Sequence, residues 1–97
     1  MQFISIMKPV KNENTMTDDD HHLVDAHCDY LKQQFENKSV VFAGPSWEKG
    51  EDHFAIVVLE AENKEQANEI MAKNPAVSGG VLSSHLTEFH VFLSRQV

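Results

Sequence analysis

The chain has 97 residues, room for one domain spanning 1–97. Fifteen acidic side chains against 8 basic ones give a formal charge of −7. That field repels phosphate backbones, and with no cluster of Lys or Arg it excludes nucleic acid as a partner.

A chain this short buries only roughly 60–65% of its unfolded surface, and pairing with a second copy is a common remedy. No run approaches the ~20 apolar residues of a membrane helix, and the apolar opening Met1–Met7 is too short for a signal peptide. Cys28, alone, cannot form an internal disulfide. Together these point to a cytoplasmic protein in a reducing compartment.

Residues 2–8, rich in Phe, Ile and Met, predict a first strand ended by Pro9. A polar loop leads to Thr17, a good helix N-cap, and Asp18, Asp19 and Asp20 suit the positive end of the helix dipole. Asp20 stands three residues after Thr17, as in a capping box. The helix should run to about Asn37, with Leu23, His27, Tyr30, Leu31, Gln34 and Phe35 as the stripe facing the sheet.

Ser39–Ala43 reads as a second strand closed by Gly44-Pro45, and a polar turn region follows over Ser46–Asp52. His53–Ala61 reads as a third strand, and its apolar centre Phe54–Leu59 implies cover on both faces. Asn63 caps a second helix with Ala67, Ile70 and Met71 inward, which Asn74-Pro75 stops. Gly79-Gly80 marks a turn, and a last strand is expected over about Ser83–Ser94. The order β-α-β-β-α-β is the ferredoxin-like arrangement, α+β with a four-stranded antiparallel sheet and two helices on one face.

His27 with Tyr30-Leu31, Val41-Phe42-Ala43-Gly44-Pro45, Asn74-Pro75-Ala76-Val77 and Gly80-Val81-Leu82 stand in an order and spacing that resemble the YCII-related (YciI-like) family. The likeness runs from about Phe3 to Leu93. It implies a dimeric α+β barrel, in which a second copy covers the other face of the third strand. It also implies an active site that pairs a histidine on the first helix with an aspartate just before a proline. His27 matches the histidine, whereas Asn74 stands where the aspartate belongs. A carboxylate beside imidazole fixes its tautomer and stabilises the imidazolium, and an amide carries no such charge. In the serine-protease triad the same exchange lowers turnover by on the order of 10⁴. Dyad chemistry should therefore be weak here unless Glu60 or Glu88 substitutes.

Each candidate has a plainer reading beside it. His27 on an inner stripe could be a hydrogen-bonded core residue, and Asn74 a helix C-terminal residue. Gly44 and Pro45 end a strand, yet their backbone could border a ligand pocket whose rim carries the Ser46 hydroxyl. Asp18, Asp19, Asp20, His21 and His22 are consecutive on a helix and cannot converge on one ion, so no metal is implied, and with no phosphate loop, CxxC pair or nucleophile elbow no cofactor is implied either. His53, His85 and His90 are read as structural, with His85 and His90 also candidates for a cavity wall. Cys28 is read as a buried or half-buried thiol, and Trp47 and Phe54 as interface or core residues.

Three functions compete. In the first, the chain is a small homodimeric enzyme using His27 as general acid–base on a small, unsaturated acid-like substrate, the lyase, dehalogenating or isomerase-like chemistry the resemblance implies. In the second, it is a non-catalytic ligand-binding or regulatory dimer that has lost the dyad. The third, a cofactor-independent monooxygenase, shares the fold but not these motifs.

Overall fold

The computed structural model describes residues 1–95. Strand β1 (Gln2–Pro9) leads through a 3₁₀ turn (Glu13–Thr15) into α1 (Asp18–Glu36) and β2 (Val40–Pro45). A second 3₁₀ turn (Gly50–Asp52) precedes β3 (Ala55–Glu60), α2 (Lys64–Ala72), α3 (Pro75–Ser78) and β4 (Leu82–Phe89). The antiparallel sheet has the order β2-β3-β1-β4, the ferredoxin-like topology expected.

The helix ends follow local chemistry. Thr17 and Asp20 form a reciprocal capping box, with Asp20 N–H on Thr17 Oγ1 at 3.1 Å and Thr17 N–H on Asp20 Oδ2 at 2.9 Å. Lys11 Nζ also lies 3.1 Å from both Asp20 oxygens. The Thr17 N–H first, then Lys11, hold the Asp20 carboxyl below the usual carboxylate range. At its other end α1 closes in a Schellman motif: Lys38 N–H donates to Phe35 O and Ser39 N–H to Gln34 O. Lys38 takes the left-handed conformation there, with φ 68°. Asn63 caps α2 by accepting from Gln66 N–H at 2.8 Å.

The sheet has one helix-covered side. Phe3, Met7, Val57, Leu59 and Val40 on that side pack with Ala67 and Met71 of α2, and Leu31 of α1 adds to them. Ser5 is buried among these and shares a 2.6 Å hydrogen bond with Ser84 across β1 and β4. The register places Ile4, Ile6, Ile56, Val58, Phe42 and Phe89 on the opposite side. There Val58 is buried while Ile6, Phe42 and Phe89 stay exposed.

Several expectations are corrected. Asn74-Pro75 does not simply end the second helix. It ends α2 and starts α3, with Asn74 as N-cap and Pro75 at the first helical position, where the missing N–H costs nothing. Gly80, at φ 76°, supplies the left-handed residue that closes α3. Strand β4 stops at Phe89, short of Ser94, and beyond it Val91 N–H donates to Gln2 Oε1 at 2.9 Å. Phe35 lies in the last turn of α1 and is exposed rather than facing the sheet. Cys28 is exposed, because α1's inward arc is filled by Leu23, His27 and Leu31. Trp47 lies in the loop after β2, 99% exposed, and is no part of the core.

Candidate functional site

Helix α1 is set against α3 by two side chains one turn apart. Leu23 covers Gly79 so closely that a Cβ built on that glycine would lie 2.5 Å from Leu23 Cδ1. One turn on, His27 meets the other end of α3, where its Nδ1 is 2.7 Å from Asn74 Nδ2. Three residues later Tyr30 donates its hydroxyl to Ile70 O at 2.7 Å, tying α1 to α2. This stripe brings together two residues 47 positions apart in sequence.

His27 and Asn74 are both buried, Asn74 completely. The Asn74 amide is oriented from behind: its Oδ1 accepts the Ala76 N–H at 3.0 Å, the N-cap bond of α3. Its Nδ2 is thereby turned to the imidazole. Burial pushes the His27 pKa below the ordinary imidazole value, and burial raises that of Tyr30. The other His27 ring nitrogen, Nε2, has no partner among the described hydrogen bonds. Since no buried side-chain nitrogen or oxygen of the described residues lacks a partner, Nε2 reaches solvent.

No carboxylate bonds the His27 ring among the described residues. Glu60 ends β3 on the exposed side of the sheet, and Glu88 lies on β4, exposed. Neither replaces the aspartate. Gly44 and Pro45 end β2, exposed, and Ser46 begins the following loop. No hydrogen bond links them to His27 among the described residues. Ser46 Oγ instead accepts Phe54 N–H at 3.1 Å and lies 3.5 Å from His53 Nδ1, which also meets Glu48 O at 3.0 Å. Ser46 and His53 thus brace the β2–β3 loop.

Two surface grooves flank these elements. One, lined by Ala26, Tyr30, Gln33 and Pro75 with charged neighbours, runs beside the His27–Asn74 pair without including either. The other lies between Phe42, Phe89 and residues 90–95, with His90 on its wall; His85 instead stands on the open side of the sheet. Among the described residues no three His, Cys, Asp or Glu side chains converge to hold a metal ion. No helix of the described residues is long and apolar enough to cross a membrane.

Tyr30's hydroxyl anchor and the Ala76 N–H that orients Asn74 were not anticipated. The second was legible in principle, because Asn followed by Pro is an N-cap and first-turn pair as well as a helix stop.

A four-stranded antiparallel sheet with its helices on one side, and a histidine on the first helix bonded to the residue before a proline, define a class of small α+β proteins. Within that class the chain belongs to the family of the YCII-related domain, which matches residues 1–90. Among solved structures it is similar to 5-chloro-2-hydroxyhydroquinone dehydrochlorinase (TftG) from Burkholderia phenoliruptrix AC1100, in complex with 2,5-dihydroxybenzoquinone. The two share 13% identity over 93% of this chain and 94% of that one, with a TM-score of 0.64, a likeness of fold. Comparison with curated proteins returned no match.

Proposed function

We propose that the chain binds a small, oxygen-bearing organic molecule at His27 and does so as a homodimer, without the proton-abstracting dyad of its family pattern. The observation that carries this reading is the 2.7 Å contact between His27 Nδ1 and the Asn74 amide, with no carboxylate in the imidazole's hydrogen-bond shell among the described residues. A general base of this kind needs a partner that stabilises imidazolium. Here burial favours the uncharged ring, and the amide beside Nδ1 brings no negative charge to stabilise imidazolium.

Support for pairing comes from the sheet. Ile6, Phe42 and Phe89 expose apolar surface on the side opposite the helices, next to Ile4, Ile56 and Val58. A second copy laid there would remove that surface from water and make each half whole. The ligand class is drawn from the fold neighbour, whose bound molecule is a dihydroxybenzoquinone.

Titration calorimetry with 2,5-dihydroxybenzoquinone and a panel of small unsaturated carboxylic acids tests the reading. Saturable binding by the native protein should weaken about tenfold in His27→Ala, the worth of one hydrogen bond. Equal affinity in a folded His27→Ala dimer would remove His27 from the site.

The second reading, a general acid–base enzyme centred on His27, draws on the dehydrochlorinase activity of the fold neighbour. It predicts that Asn74→Asp raises turnover of a halogenated hydroquinone. A fall in turnover would count against it.

A further inference from the structure

We infer that Asn74 locks His27 as the neutral Nε2–H tautomer, so that the site presents a hydrogen-bond donor and takes ligands through an acceptor oxygen such as a quinone carbonyl or a carboxylate. This reverses the polarity that a family aspartate would impose. The ligand half rests on the binding reading above, whereas the tautomer half stands on geometry alone.

The amide's orientation is set at the backbone. Ala76 N–H can only donate, and at 3.0 Å it requires an acceptor, so the facing Asn74 atom is Oδ1. Exchanging the amide's ends would aim an NH₂ at that N–H and leave a buried donor without a partner, at a cost of roughly 1–3 kcal/mol. With Oδ1 fixed, the atom 2.7 Å from His27 Nδ1 is Nδ2, a donor with no lone pair to offer. A donor at that distance demands an unprotonated Nδ1. The neutral ring then carries its hydrogen on Nε2, the nitrogen that reaches solvent. A protonated ring would set two donors against each other, so Asn74 opposes the imidazolium as well.

An aspartate at position 74 could still accept the Ala76 N–H with one oxygen while its other oxygen accepted a hydrogen from Nδ1. That would leave Nε2 as an acceptor, the arrangement of a general base. Asn74 is therefore a positioning residue that determines which end of a ligand the imidazole can hold. A donor of this kind stabilises negative charge on a ligand oxygen without removing a proton from it.

Histidine-selective ¹⁵N labelling with long-range ¹H–¹⁵N correlation reads the tautomer directly, at a pH above the imidazole range. The native protein should show Nε2 protonated and Nδ1 bare at His27, and Asn74→Asp should exchange the two. A protonated Nδ1, or averaging of both nitrogens, in the native protein would overturn the tautomer half even if the variant failed to fold. For the ligand half, 2,5-dihydroxybenzoquinone should shift the native Nε2–H resonance and benzylammonium, which carries donors only, should not. A shift with benzylammonium alone would overturn the acceptor-oxygen inference while sustaining binding at His27. No shift with either probe would overturn the ligand half and the binding reading together, with the tautomer result unaffected.

Discussion

His27 is buried and uncharged by preference, and its protonation must weaken the fold. Its pKa is depressed in the folded chain, so the unfolded chain binds the proton more readily. The stabilisation is whole above the unperturbed imidazole pKa of about 6.5 and is lost as pH falls through the lower folded value. Urea midpoints followed downward from about pH 7.5 should therefore fall more steeply in the native protein than in His27→Gln. Parallel slopes would show that His27 does not couple to folding. The helical stripe put His27 on the inner side of α1, but only the family resemblance singled it out as a site residue, with Asn74 marked by its departure from the same pattern. What the sequence could not show was the amide's orientation, which depends on a backbone N–H of a four-residue helix too short to carry a helical period.

At the level of elements, the link between α1 and α3 depends on close approach at Gly79. A Cβ there would lie 2.5 Å from Leu23 Cδ1 and 2.9 Å from Pro75 O, and the backbone oxygen has little room to yield. Gly79→Ala should destabilise the protein by about 1–3 kcal/mol, as overpacking does. Gly44→Ala meets nothing within 4 Å and should be near neutral by the same chemical denaturation. Equal effects at the two positions would mean that α3 is not held by this contact. The long elements were well specified by their chain-order signals. Thr17 and Asp20 marked the start of α1, and apolar runs marked β1 and β3. Errors gathered at short-range features: α3 is too brief for a helical period, and the alternation of Val91 and Leu93 with Phe92 continues past the residues that pair in β4.

For the whole molecule, the sheet has a side covered by helices and a side that single-chain packing leaves partly open. The apolar run of β3 anticipated both sides: Val57 and Leu59 face the helices, Ile56 and Val58 the other way. Pairing through that open side predicts a molar mass twice that of the 11.0 kDa chain in light scattering. Ile6→Glu, which puts a charge in the middle of the face, should shift it toward the monomer while leaving the helix-side core intact. A dimer of unchanged stability in that variant would place the interface elsewhere. Above all, we propose that His27 offers Nε2–H to a ligand oxygen. A crystal structure soaked with 2,5-dihydroxybenzoquinone tests it most directly. A ligand oxygen about 2.7–3.2 Å from Nε2 is the predicted result. Nε2 sealed against protein atoms, with no ligand beside it, would contradict it.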